Sequence, residues 1–86
     1  MAADRLTVSV ISPERTVFQG SADEVVVPAW DGQLGILRGH APALVLLGDG
    51  EMKVRDGTAD HRFRISGGFM QVVNNVVTVL SEHASS

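Results

Sequence analysis

The chain has 86 residues, a formal net charge of −3 and no cysteine, with 44% apolar and 20% charged residues. That composition describes one globular domain and excludes disulfide scaffolds, thiol catalysis and thiolate metal sites. A mildly acidic chain offers no electrostatic attraction to phosphate, so nucleic acid is not expected as principal partner. No apolar run approaches the roughly 20 residues that span a bilayer, and direct membrane insertion is not expected. The start, Met1-Ala2-Ala3-Asp4, has no basic segment followed by an apolar stretch, so no secretory signal is expected either.

Thirteen valines outnumber seven leucines. β-branched side chains lose rotamer freedom in a helix and pack well on a pleated surface. In chain order, Leu6, Val8 and Val10 alternate with Thr7 and Ser9, which predicts a half-buried strand over 6–11. Ser12-Pro13-Glu14-Arg15 reads as a turn into a strand over 16–22, and a further strand covers 25–27. Ala29-Trp30-Asp31-Gly32 has loop chemistry, followed by strand 34–37. Gly39-His40-Ala41-Pro42 leads into strand 43–47. Gly48-Asp49-Gly50 reads as a tight turn into strand 51–55, and Asp56-Gly57 begins another before strand 61–65. Gly67-Gly68 predicts a bulge or sharp bend. Strands 69–73 and 76–80 flank Asn74-Asn75, whose tolerance of positive φ suits a two-residue hairpin turn. Residues 81–86 are polar and read as a fraying tail. No stretch beyond about ten residues carries a capped helical stripe. The reading is all-β: a single-domain sandwich of two sheets, about ten short strands, with no substantial helix, over residues 1–81, and a short polar tail over 82–86.

Catalytic and metal chemistry find little support. His40, His61 and His83 lie far apart, with no ligand-type spacing. Ser66-Gly67-Gly68 lacks the first half of a nucleophile elbow, and no Lys-Ser or Lys-Thr follows it to make a phosphate cradle. Asp31, Asp49, Asp56 and Asp60 have ordinary turn positions. No catalytic residue, metal or cofactor is expected. Lys53, Arg55, Arg62 and Arg64 predict an outward stripe whose charges pair with Glu51, Asp56 and Asp60 across strands. Met52-Lys53 is similar to the modified site of biotin carrier domains, an alternative reading in which Lys53 is the attachment point. Against it, the modified lysine of that family sits at a hairpin tip, whereas Lys53 falls inside an alternating strand. Trp30, the only tryptophan, stands beside Asp31-Gly32 in a loop, where a large rigid side chain serves binding or lids one end of the sandwich.

Three ordered blocks carry a stronger resemblance. They are Gly32-Gln33-Leu34-Gly35-Ile36-Leu37 with Gly39-His40-Ala41-Pro42; Ser66-Gly67-Gly68-Phe69 with Val72, Asn74-Asn75 and Val77-Thr78-Val79-Leu80; and the opening Leu6 to Val10, Ser12-Pro13-Glu14, Val17-Phe18 and Gly20. Together they resemble the N-terminal β-sandwich of the epsilon subunit of rotary ATP synthases, over almost the whole chain. The resemblance implies a non-catalytic subunit of the central stalk that joins the gamma subunit to the membrane c-ring. It would couple ion-driven rotation to ATP synthesis, peripherally, on the cytoplasmic face of the bacterial inner membrane. It also implies that Trp30, Asp31, Gly32 and Gln33 touch the c-ring, and that Ser12, His40 and Val45 meet gamma. The family often has glutamate where Gln33 stands, so a contact to the ring would come from Asp31 or a hydrogen bond from Gln33. Members usually continue into a C-terminal helical hairpin that can inhibit hydrolysis. This sequence stops shortly after Leu80, so the expectation is coupling and assembly without the hairpin.

Overall fold

Alternation of side chains decides the architecture. The computed structural model describes residues 5–85, so the expectations drawn from Met1-Ala2-Ala3-Asp4 and placed on Ser86 lie outside the described residues. Ten strands follow in order: β1 (Leu6–Ile11), β2 (Thr16–Ala22), β3 (Glu24–Ala29), β4 (Gly32–Leu37), β5 (Ala43–Leu46), β6 (Asp49–Asp56), β7 (Ala59–Ser66), β8 (Phe69–Val73), β9 (Val76–Leu80) and β10 (His83–Ser85). Among the described residues there is no helix. The strands form two five-stranded sheets, in the orders β2-β1-β9-β8-β5 and β10-β7-β6-β3-β4. Pairing is antiparallel except between β1 and β9, where Val8 lies opposite Val77 and Val10 opposite Val79.

The two inner faces make one core. The first sheet supplies Leu6, Val8, Val10, Met70, Val72, Val77 and Val79; the second supplies Val25, Val27, Ile36, Met52, Val54, Phe63 and Ile65. Burying each such side chain stabilises the sandwich by about 1.5–3 kcal/mol, and the period of two leaves every second residue facing outward. Half-buried Phe18 of β2 closes one side. Its ring lies 5.0 Å from that of His61 and 5.4 Å from that of Phe63, bridging an edge of the first sheet to β7 of the second. The Asn74-Asn75 hairpin is confirmed, with φ of 49° and 65° at the two residues.

Two segments differ from the sequence reading. Gly48-Asp49-Gly50 is not a tight turn, because Asp49 already pairs with Ser66 and Gly50 with Ile65 in the β6–β7 ladder. The chain instead changes sheets at this point. The Leu47 N–H donates to Gly68 O at 2.9 Å in the first sheet, and the Gly48 N–H donates to Pro28 O at 2.7 Å in the second. Gly48 sits so close to the backbone of Ala29 and Trp30 that a Cβ there would lie 3.3–3.4 Å from it. The second difference is the supposed polar tail. Ser81 is buried, and its hydroxyl lies 2.8 Å from Gly67 O, 3.0 Å from His83 O and 3.2 Å from Ser66 O. This anchor turns the chain so that His83–Ser85 adds a strand to β7, with half-buried Ala84 opposite Ile65. A short polar stretch therefore joins the sheet because one buried hydroxyl sits among the carbonyls at the turn and donates its proton there, the Gly67 O at 2.8 Å being the shortest contact.

Candidate functional site

Outward-facing side chains divide the two sheets sharply. The outer face of the second sheet is laced with charge. Arg55 bonds Glu24 at 2.9 Å, and Arg62 reaches Glu51 at 3.2 Å and Asp60 at 4.0 Å. Lys53 lies mid-strand opposite Arg62, away from the β6–β7 hairpin tip where a carrier-type lysine would stand. Such exposed pairs contribute little stability each, but they keep that face wet. The first sheet is the opposite. None of the chain's 7 Lys and Arg or 10 Asp and Glu falls in β1, β2, β5, β8 or β9.

The consequence is an apolar row across the first sheet. Leu46 pairs with Phe69, Phe69 with Leu80, and Leu80 with Ile11, so four large apolar side chains stand side by side on successive strands. Leu46 is 64% exposed, its strand neighbour Leu44 71%, and Phe69 and Leu80 are exposed as well. At the Ile11 end lies a cavity of about 380 Å³ that includes Ser12, Pro13 and Phe69 in its lining. Beyond the Leu46 end lies the Trp30 loop.

That loop is a two-residue connection, Trp30-Asp31, between β3 and β4. Trp30 is 73% exposed, which excludes a lid packed on the end of the sandwich. Asp31, Gly32 and Gln33 are exposed beside it. The Trp30 N–H donates to Leu46 O at 3.1 Å, tying the loop to β5. Between them runs an open groove of about 600 Å³, lined by Trp30, Asp31, Gln33, Leu44, Val45 and Leu46 among others. The structure thus brings the 30–33 loop and Val45 together. It places Ser12 in the β1–β2 turn, where the Ser12 N–H and hydroxyl both reach Arg15 O. His40 occupies the β4–β5 turn, where its Nδ1 donates to Ala41 O at 2.7 Å, and the Gly39 N–H donates to Asn75 Oδ1 at 2.7 Å. Leu44, Leu46, Phe69 and Leu80 went unnoticed in the sequence. Their signal was register: each alternates with a residue that packs into or against the core.

The remaining polar cluster is a brace. Arg5 bonds Asp56 through Nη2 and forms an ion pair with Asp23, Nε lying 3.3 Å from Oδ1, and the Gly57 N–H donates to Asp23 Oδ2 at 2.7 Å. The Gly57 amide, with Arg5 behind it, holds the Asp23 carboxyl below its ordinary pKa, and the Asp56 carboxylate raises that of Arg5. This cluster ties the β2–β3 connection to the β6–β7 hairpin. No group of three or more His, Cys, Asp or Glu among the described residues could hold a metal ion. No helix among them is long and apolar enough to cross a membrane.

Comparison with known proteins bears on this geometry. The family described as ATP synthase, Delta/Epsilon chain, beta-sandwich domain matches residues 5–86. The ATP synthase epsilon chain of Leptospira borgpetersenii serovar Hardjo-bovis is 41% identical over 85 residues, covering 99% of this chain and 67% of that protein. The ATP synthase epsilon chain of a Cyanothece species is 51% identical over 75 residues, covering 87% of this chain and 54% of its own length. The chain therefore spans between about half and two thirds of these relatives. Among solved structures, a chain of the Euglena gracilis mitochondrial ATP synthase OSCP/F1/c-ring assembly superposes with a TM-score of 0.88 at 23% identity. That overlap covers 94% of this chain and 52% of the other, a likeness of fold.

Proposed function

The chain belongs to the ATP synthase delta/epsilon family, as its beta-sandwich domain, and on that premise we propose that it is a non-catalytic rotor subunit joining gamma to the c-ring. In this reading the domain sits peripherally on the cytoplasmic side of a bacterial inner membrane, in the central stalk. The Trp30, Asp31, Gly32 and Gln33 loop rests on the ring, while Ser12, His40 and Val45 face gamma. The two-sheet sandwich, with the strand that follows Ser81, acts as one stiff coupling block. A sandwich of two sheets packed on one core suits torque transfer, because close-packed interiors yield little under load.

The observation that carries this reading is the uncharged apolar row from Leu46 to Ile11, with the exposed Trp30 loop at one end and the Ser12 turn at the other. Exposed apolar rows of this kind mark contact surfaces. Its Ser12 end lies where the family resemblance puts gamma, and its other end carries both the loop expected on the ring and Val45, expected against gamma. Gamma binding is tested by calorimetry with the cognate gamma subunit; absence of association at tens of micromolar refutes the reading. The ring contact is tested in a reconstituted synthase. Trp30→Ala or Asp31→Lys should impair ion-driven ATP synthesis while leaving the fold and gamma binding intact, and unchanged synthesis refutes that assignment.

A further inference from the structure

Asp-Gly is the dipeptide in which an aspartate most readily reacts with its own backbone, because glycine carries no Cβ to shield its amide nitrogen. The chain has three: Asp31-Gly32, Asp49-Gly50 and Asp56-Gly57. The fold treats them differently. At Asp56 the carboxylate is bonded by Arg5, and the Gly57 N–H donates to Asp23 Oδ2 at 2.7 Å, so electrophile and nucleophile are both engaged. At Asp49 the Ser66 hydroxyl lies 3.1 Å from Oδ1, and both Asp49 and Gly50 stand in the β6–β7 ladder. A Cβ at Gly50 would sit 3.0 Å from Pro28 Cβ, so that backbone has little room to turn. Asp31 has none of these restraints. It is the second residue of the two-residue β3–β4 turn, and its carboxylate has no hydrogen bond or ion pair among the described residues. Asp31 and Gly32 are both exposed, and a Cβ at Gly32 would meet nothing within 4 Å. Gly32 is held through the closing Ala29–Gly32 pair, the end of a ladder and so its first rung to open.

We propose that Asp31 is a self-modification site, converting to an isoaspartyl link in the folded chain while Asp49 and Asp56 are spared. The Gly32 nitrogen attacks the Asp31 side-chain carboxyl carbon. A nitrogen–carbon bond closes a five-membered imide, and one carboxyl oxygen leaves as water with the amide proton and a proton from solvent. Water then reopens the ring. Breaking the new bond restores aspartate. Breaking the original peptide bond instead leaves Gly32 joined through the side chain, with a free α-carboxylate. Nothing is oxidised or reduced, and the atomic composition of the product equals that of the starting chain. The product has one extra carbon in the main chain of the turn that presents Trp30. The inference stands on this chain's own residues, whichever partner the loop meets.

Each passage through the imide takes one oxygen from water, so incubation of the chain in heavy-oxygen water near neutral pH, followed by mass spectrometry of its peptides, counts the events at each aspartate. Enzymatic methylation of isoaspartate in the same peptides reads the product. Label at Asp31 should exceed that at Asp49 and at Asp56 by about tenfold or more in the folded chain, because opening costs least at a loop tip, and in guanidinium the three should agree within about threefold. Equal labelling of the three in the folded chain overturns the proposal, as does an unlabelled Asp31 under conditions where the unfolded chain accumulates label. A preference for Asp31 that persists in guanidinium assigns it to local sequence and overturns the part given to the fold. Asp31→Glu keeps the charge but would need a six-membered ring, which closes far more slowly. It should retain the strand content and lose the label from this peptide; label that remains overturns the assignment to Asp31.

Discussion

Adjacent glycines at 67 and 68 separate two effects that are usually confounded. Both have positive φ, +68° at Gly67 and +102° at Gly68, but only one is crowded. A Cβ at Gly67 would meet nothing within 4 Å. A Cβ at Gly68 would sit 2.0 Å from Leu80 O, 2.7 Å from Ser81 Cα and 2.9 Å from Leu80 C. Relief to an ordinary contact of 3.4 Å requires β9 and the start of β8 to part by more than 1 Å. That movement strains the Leu47 N–H bond to Gly68 O at 2.9 Å and the Ser81 N–H bond to Ile11 O at 3.0 Å. Losing those two bonds costs about 1–3 kcal/mol. The unfavourable φ adds about 1–3 kcal/mol, and overpacking a similar amount. Gly68→Ala should therefore cost at least about 3 kcal/mol, a large part of the roughly 4–13 kcal/mol expected for a domain of this size. Gly67→Ala carries the backbone strain alone, about 1 kcal/mol. Urea unfolding followed by circular dichroism reads both, with the slope m unchanged. In thermal scans the Gly68 variant should melt roughly 12 °C or more below wild type and the Gly67 variant about 4–8 °C below. Equal losses for the two, within about 1 kcal/mol, would show that the close approach to Leu80 is not what requires glycine there.

Three further outcomes are expected. Ser81→Ala should destabilise the domain by about 1–3 kcal/mol by removing the donor to a part-buried carbonyl, and hydrogen exchange should then quicken along His83–Ser85 before elsewhere; unchanged protection of β10 would show that Ser81 does not anchor it. Met70→Ala, at a fully buried position on β8, should cost about 2–5 kcal/mol, whereas Leu44→Ala on the exposed edge should stay within about 0.5 kcal/mol of wild type in the same denaturation assay. The Asp23 carboxyl, held below its ordinary pKa of about 4, favours folding while ionised. Its contribution is complete above that ordinary value and is lost as pH falls through the lowered one. The melting-temperature gap between wild type and Asp23→Asn should accordingly be constant near neutral pH and shrink in acid; a gap that does not narrow below about pH 4 would show that the brace is not electrostatic.

How far the sequence could be read follows from which physical effects act locally. Val8, Val10, Phe63, Ile65, Val77 and Val79 alternate with polar or exposed neighbours, and alternation is written in consecutive residues. The inner faces were legible for that reason, and so was the Asn74-Asn75 turn, whose φ preference is a property of the residues themselves. The end of β9 was not legible, because Ser81 is recognised as an anchor only when the carbonyls of Ser66 and Gly67, about fifteen residues away, fold onto it. The sheet change at Leu47-Gly48 failed for the same reason: its two hydrogen bonds go to partners in different sheets, and glycines beside an aspartate look like a turn until the ladder is seen. The apolar row was hidden differently. Ala43-Leu44-Val45-Leu46-Leu47 reads as a run with no period, which predicts burial on both sides, as in a strand at the centre of a sheet. It belongs instead to an edge strand, half of whose side chains face solvent. A core strand and a contact strand are the same string of residues; they differ in what the rest of the fold leaves uncovered. In the isolated domain Leu44 and Leu46 remain uncovered on a strand at the edge of its sheet, and that combination of exposed apolar side chains and an unpaired edge is what marks a contact strand.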